Sequence, residues 1–398
     1  MTVERIVPAA PARGTRPRNR RALILAAATD LFYRRGYDQL GMGDIAESVA
    51  IGPSALYRHF AGKQDLLREV ITAGLAPVHD LLDHLDFTDR ATATSQVARI
   101  ALDHRQLGVL WQREARYLRP QDLRDLRVEL RDIGRQLASR VQDAHPHRSR
   151  SATDLLAWSM VATVMSTSFH RLDLPRPEYD ELLTELVGSV LDTELPDDFP
   201  PPPETTRRRA LVPQSRREAL LAEAVGMFAR EGYTGVGIED IGAAVGIAGP
   251  SVYNHFPSKR DLLTTALGRG TAVLFMDLAA SCGTASDARD GLRRLVRSYV
   301  RFTLEHHDLV GLLITELEHL PEDRRHAARQ TQHDYVSEWV HLLRTVHPRL
   351  DPTAARIRVH AALTIANDAA RTSHLRRNPA VPAALETICT RILRLPPD

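Results

Sequence analysis

The sequence predicts an all-α protein built as two tandem units, on three observations. Apolar residues recur at helical spacing along nearly the whole chain, while alternating, turn-bounded β-type runs are scarce. The chain also repeats itself. A shift of 196 lays residues 20–67 on 216–263 without a gap, and 21 of the 48 positions are identical. A weaker match continues at a shift of 202, where Leu102, His104, Leu107, Leu110, Glu114 and Leu118 each meet an identical residue in 304–320. The repeat is therefore a whole two-part unit, and two long copies exclude a solenoid of short repeats.

Each unit opens on an amphipathic helix. Ile24, Ala28, Leu31 and Phe32 form one apolar stripe, and Leu220, Ala224, Met227 and Phe228 repeat it. Gly36 and Gly232 follow as helix stops. Two short helical pieces joined by a tight turn come next, GDIAESV with IGPSALYRHF and EDIGAAV with IAGPSVYNHF. Helical spacing resumes over 93–117, 121–142, 153–170, 179–193, 286–305, 322–346, 353–373 and 381–394. The proline run and basic stretch of LPDDFPPPPETTRRR mark a semi-stiff linker. The expected layout is a basic arm (1–17), a first head (18–65) and body (66–194), a linker (195–213), then a second head (214–261) and body (262–398).

Composition narrows the function. The 398 residues are 43% apolar and 26% charged, normal for a globular protein with a sizeable core. Net charge is only +2, from 52 basic and 50 acidic residues, so nucleic-acid binding must come from local clustering. Cys282 and Cys389 lie far apart without metal or redox spacing, which suits a reducing cytoplasm. The N-terminal stretch has no apolar signal region, and no uninterrupted apolar run reaches membrane-spanning length. A cytoplasmic protein without membrane association is expected.

The duplicated heads carry the chemistry. Ile45, Val49, Ile51, Leu56 and Phe60 can pack inward together, as can Ile241, Val245, Ile247, Val252 and Phe256. That leaves Tyr57, Arg58 and His59 pointing outward from the second short helix, the layout that fits a DNA major groove. Arg13, Arg16, Arg18, Arg20 and Arg21 precede the first head, and Arg207, Arg208, Arg209, Arg216 and Arg217 the second. These arginines suit phosphates or, alternatively, serve as solubilising tails.

Residues 20–67 and 216–263 resemble the DNA-binding domain of TetR/AcrR-family transcriptional regulators. The matching residues are Phe32, Gly36, Tyr37, Asp44, Ile45, Tyr57, His59, Phe60, Lys63, Leu66 and Leu67, and again Phe228, Gly232, Tyr233, Asp240, Ile241, Tyr253, His255, Phe256, Lys259, Leu262 and Leu263. The resemblance implies three-helix heads on helical ligand-binding bodies, here arranged as a pseudo-dimer within one chain. It implies recognition helices at 52–59 and 248–255, with Tyr57, His59, Lys63, Tyr253, His255 and Lys259 on phosphates. Gly52, Pro53, Ser54, Ala55 and Arg58 would face base edges, as would Ala248, Gly249, Pro250, Ser251 and Asn254. Where the family has a Ser or Thr cap before the turn, this chain has Leu40-Gly41 and Val236-Gly237.

The function implied is a repressor released from operator DNA by a small-molecule effector, with no cofactor. A homodimer of fused chains is also open. The rival reading is a sensing or interaction module in which only the first head binds DNA. Trp111, Met160, Met165 and Phe169 are candidate effector contacts, although their spacing equally suits core packing. Glu114 and Glu316 are expected to be buried hydrogen-bond acceptors. The 17 histidines form no convincing metal set, and no phosphate loop or catalytic triad is recognisable.

Overall fold

A computed structural model of the chain describes residues 19–196, 198–201 and 214–396. The basic arm before Asn19, with Arg13, Arg16 and Arg18, and the linker arginines 207–209 lie outside the described residues. The described residues are helical throughout, without strands.

The first unit runs α1 (Arg20–Arg35), α2 (Met42–Ser48), α3 (Pro53–Tyr57), α4 (Lys63–His84), α5 (Arg90–Asp103), α6 (Leu107–Val109), α7 (Pro120–Ala144), α8 (Arg150–Ser166) and α9 (Arg176–Leu191). The second runs α10 (Arg216–Glu231), α11 (Ile238–Ala244), α12 (Gly249–Val252), α13 (Lys259–Gly283), α14 (Ala288–Glu305), α15 (His307–Thr315), α16 (Glu322–Val346), α17 (Pro352–Arg371), α18 (Ser373–Arg376) and α19 (Val381–Ile392). The helix expected over 93–117 is broken at His104–Gln106. It continues past α6 as a wide π-turn over Leu110–Glu114 and a tight turn to Tyr117.

The heads fold as their sequences dictate. Ile24, Ala28 and Phe32 are buried, as are Leu220, Ala224 and Phe228. Gly36 (φ 83°) and Gly232 (φ 78°) end α1 and α10 in a region that other residues rarely adopt, each donating its N–H to a Phe carbonyl four residues back. The missing Ser/Thr cap is met from the other side. Asp44 accepts the Gly41 N–H at 2.6 Å, and Asp240 accepts the Gly237 N–H at 2.8 Å, so the carboxylate half of a capping box survives alone.

The turn between the two short helices needs positive φ in both heads. Gly246 supplies it at 73°, but Ala50 holds it at 54° with a Cβ in place. Left-handed backbone costs a non-glycine residue about 1–2 kcal/mol, offset in part by the entropy a glycine loses on folding. Ala50→Gly should therefore raise the stability of the first head by about 1 kcal/mol in chemical denaturation, and Gly246→Ala should lower that of the second by a similar amount. Equal melting of all three chains would contradict this.

The two bodies share one core. α8 packs along α17, and α9 against α19, so Leu155, Leu156 and Met160 of one unit share an apolar cluster with the alanine and isoleucine side chains of α17 in the other. The first head's buried residues are continuous with this core, whereas the second head forms a separate apolar cluster with α15. Polar ties cross as well. Glu185 of α9 binds the buried Arg358 of α17, and also Arg394 at 2.9 and 2.6 Å. Asp154 meets His374 at 2.7 Å, and the Asn378 amide donates to the Pro200 carbonyl at 2.6 Å.

One helix approaches membrane-spanning length without making an uninterrupted apolar run. α13 is long and apolar enough to cross a membrane by length and composition, although Lys259, Arg260 and Asp261 open it and Arg269 and Asp277 interrupt its apolar stretch, and a third of its most apolar window is buried. Its outward face carries Val273 and a 73% exposed Met276.

A buried histidine pair also joins the bodies. The rings of His170 and His360 stand 4.9 Å apart, and neither nitrogen of the buried His170 has a hydrogen-bond partner among the described residues. Burial, with His360 and Arg105 nearby, lowers the His170 pKa to about 2; burial and Arg356 lower that of His360 to about 4. Both stay neutral in the folded chain while the unfolded chain takes up protons below its ordinary value. Stability should therefore be full above pH 6.5 and fall below it by up to about 1.4 kcal/mol per pH unit for each of the two histidines. Denaturant titrations between pH 7 and 5 should show this slope, and a His170→Leu/His360→Leu variant should flatten it.

Candidate nucleic-acid interface

In each head, α2 or α11 supports a very short helix whose inner side chains, Leu56 with Phe60 and Val252 with Phe256, are buried. The opposite side is open. Tyr57 is 55% exposed and Tyr253 53%. Gly52, Pro53, Ser54, Arg58 and His59 are exposed and Ala55 half-buried; Ala248, Pro250 and Asn254 are exposed, with Ser251 and His255 half-buried. The helices are shorter than the expected 52–59 and 248–255, so Arg58 and Asn254 sit at or just past the last turn. Both begin at the same point of the repeat. Only the proline moves, from the first helical position (Pro53) to the second (Pro250).

Three assignments change. Gly249 does not face outward: it is buried, and a Cβ there would lie 3.3 Å from the Glu239 Cα and 3.1 Å from its Cγ. Its role is to let α12 close on α11. Lys63 and Lys259 turn inward as well. The Lys63 ammonium donates to the Tyr37 and Leu40 carbonyls at 2.9 and 2.8 Å, and Lys259 to the Tyr233 and Val236 carbonyls at 2.8 Å each. Each also lies over a tyrosine ring, 3.9 Å from the centre of Tyr37 and 4.2 Å from that of Tyr233. Burial lowers both lysine pKa values. These lysines donate to carbonyls of the turn that follows the glycine stop, and so tie α4 and α13 to the heads.

The described arginines of the arms behave similarly. Arg21 lies over the Phe60 ring at 5.1 Å and pairs with Glu69, while Arg217 covers Phe256 at 4.1 Å and Arg216 donates to the Val245 carbonyl at 2.7 Å. They brace the edge of the reading surface beside the exposed tyrosines.

The π-turn links head to body. The extra residue it accommodates turns Glu114 inward, where its buried carboxylate accepts the Tyr37 N–H at 2.7 Å and pairs with Arg113. Glu316, also buried, accepts from the Thr315 hydroxyl at 2.9 Å and from Arg116 of the first unit at 3.0 Å. Both glutamates are the buried acceptors expected. Sequence reasoning passed over Arg116 and Gln112, whose amide donates to Asp368 of the second body at 3.1 Å. Contacts across 200 or more residues have no local signature.

The four suggested effector contacts are not gathered around a described cavity. Met160 is fully buried in the core, Trp111 and Met165 pack against it, and Phe169 is 37% exposed. Two open surface hollows, of about 440 and 160 Å³, are lined by Ser337, Val340, His341, Arg344, Thr345 and Pro348, and by residues around Asp154 and His374. Among the described residues, no cluster of three or more His, Cys, Asp or Glu could hold a metal ion.

Two outward-facing helix-turn-helix heads on a helical body are the layout of a DNA-binding regulator. Comparison shows which family these parts are similar to. The profile of bacterial regulatory proteins of the tetR family matches residues 24–70 and again 220–266, and the tetracyclin repressor-like C-terminal domain matches 285–371. These matches span under half of the chain and make both heads and the second body similar to the TetR family, whose DNA-binding domain is matched twice. It is 28% identical over 156 residues to the HTH-type transcriptional activator FasR of Mycolicibacterium smegmatis, covering 39% of this chain and 71% of that one. It is 30% identical over 110 residues to the HTH-type transcriptional repressor KstR2 of Rhodococcus jostii, covering 28% of this chain and about half (54%) of that protein. A TetR-family regulator from Bordetella parapertussis aligns over 45% of this chain and 94% of its own, with a TM-score of 0.41 and 20% identity.

Proposed function

We propose that one chain reads a two-part operator with unequal halves, as a pseudo-dimer, and that a small-molecule effector acting on the bodies releases it. The observation that carries the reading is the pair of equivalent exposed faces, around Tyr57 and Tyr253, held on bodies that share a core through α8 and α17. A symmetric dimer presents identical heads to a palindrome. Here the outward residues differ, Arg58 in one head and Asn254 in the other. In each head Tyr57 and His59, or Tyr253 and His255, would hold phosphates, while Ser54, Ala55 and Arg58, or Pro250, Ser251 and Asn254, meet base edges.

For the effector, the second body offers more than the residues first suggested. Phe275, Tyr299, Tyr335 and Trp339 form a ring cluster with centroids 5.6–6.2 Å apart, with a polar rim in the Tyr299–Asn367 hydrogen bond at 2.9 Å. An apolar ligand with one polar group would replace some of these ring contacts and shift α13, which begins at Lys259 under the second head. No metal or cofactor is needed for this, nor a membrane.

The sign of regulation depends on where the operator lies. A chain occupying a promoter blocks polymerase, and repression is the sign proposed here. Selection of operators from random DNA, with the mass of each complex measured, tests the whole reading. One chain on two unlike half-sites is expected. A perfect palindrome bound by two chains would overturn the pseudo-dimer, and a single half-site would favour the reading in which only the first head binds.

A further inference from the structure

The two heads are wired to each other by a chain of side chains that crosses between the units. In the first head Asp38 bonds the Tyr117 hydroxyl, and Tyr117 stacks on Tyr37 with centroids 4.8 Å apart. The neighbouring Arg116 donates to the same hydroxyl at 3.0 Å, then crosses to the second unit, donating to the Thr315 carbonyl at 2.7 Å and to Glu316 at 3.0 Å. Glu316 lies 3.3 Å from His319, and His319 stacks on Tyr233 with centroids 4.9 Å apart. Tyr37 and Tyr233 are the residues under the Lys63 and Lys259 ammoniums, at the points where each head meets its body.

The link is one-sided. The shift of 202 that aligns Glu114 with Glu316 places Glu318 opposite Arg116. Glu318 stays in its own body, paired with Arg325 at 3.3 Å and Arg329 at 2.7 Å. Symmetry between the units therefore does not account for Arg116, and its partner is nearly buried: Glu316 is 2% exposed. A buried carboxylate needs a cation held in place, and a guanidinium with two acceptors and a hydroxyl around it has one orientation open to it.

We infer that Arg116 is a positioning residue for DNA reading, a clamp that fixes the distance and angle between the heads so that the spacing of the two half-sites is recognised. The inference rests on the reading that one chain spans both halves. Without the clamp each head still folds and still meets its half-site, but the pair is no longer set for one spacing. Binding of the second half then loses its intramolecular advantage.

The test compares binding to single half-sites and to two-half operators whose spacer varies in single base pairs, at one salt concentration. Wild type should show a sharp spacing optimum. Arg116→Ala should bind the optimal operator at least tenfold more weakly, bind single half-sites within twofold of wild type, and show a broadened optimum. Because a lone Glu316 would be left buried, Arg116→Met/Glu316→Leu provides a second variant without an unpaired charge and should show the same broadening. Arg116→Lys should recover part of the optimum. A sharp optimum retained in both Arg116→Ala and the double variant overturns the clamp, as does equal weakening on single and double sites. If wild type itself has no spacing optimum, the two-half reading falls, and the clamp's role in DNA recognition with it.

Discussion

Glu185→Ala is expected to destabilise the protein by about 3–5 kcal/mol, the cost of leaving a buried ion without its partner. The carboxylate on α9 faces two arginines of the other unit. Arg394 is half-exposed and can turn to water, but the Arg358 side chain is 1% exposed and cannot. Once Glu185 is gone, the Arg358 guanidinium keeps a hydrogen bond to the Ile392 carbonyl at 3.0 Å and loses the carboxylate that balances its charge. Burial already lowers the Arg358 pKa, so the site is a poor host for an uncompensated cation. Glu185→Gln should be milder, since the amide oxygen still accepts. Glu185→Leu/Arg358→Met should recover most of the loss, because removing both charges also removes their desolvation. Chemical denaturation of the four chains decides. A loss under about 1 kcal/mol in Glu185→Ala would mean that water reaches Arg358, as at an exposed ion pair.

That pair was not visible in the sequence, and the reason is physical. Periodicity and repetition report what each segment does for itself. The stripe of Ile24, Ala28 and Phe32 can only be one face of a helix, and Gly36 after it can only be a stop. The positions at which Glu114 and Glu316 coincide, inside apolar runs, pointed to burial. The repeat showed that the units are alike, but not that α8 of one would lie on α17 of the other. Nor did it reveal the π-turn that aims Glu114 at Tyr37. Lys63 and Lys259 are instructive in a different way. A lysine kept at the same place in both copies suggested phosphate contact, since a long cation at a head's edge suits DNA. The same cation equally suits two open carbonyls and a tyrosine face, and only the packing of α4 on the glycine stop distinguishes the two. Conversely, the expected outward positions of Tyr57, Arg58, Tyr253 and Asn254 needed only knowledge of which residues of a short helix are apolar.

Exchanging Arg58 and Asn254 should move base preference from one half of the operator to the other. Both side chains are exposed, and each follows an exposed tyrosine at the end of a recognition helix. Arginine presents a planar fork that suits the O6 and N7 of guanine, whereas asparagine suits the N6 and N7 of adenine. A good bidentate pair discriminates by about 1–3 kcal/mol, so Arg58→Asn should cost roughly 5- to 150-fold on a guanine-bearing first half. Asn254→Arg should produce the mirror gain for guanine in the second. Competition binding on operators that differ by one base pair, at constant salt, reads both effects directly. Weakening that is uniform across all sequences would instead assign Arg58 to phosphate, since phosphate contacts carry no sequence information. The second substitution bears on the larger question. Asn254 sits on a head whose core is separate from the rest, whose recognition helix is one residue shorter, and whose first helical residue, Gly249, is buried. If Asn254→Arg alters preference, that head reads DNA despite these differences. If it changes nothing while Arg58→Asn does, the duplication has left a second head that only senses, and the operator belongs to the first.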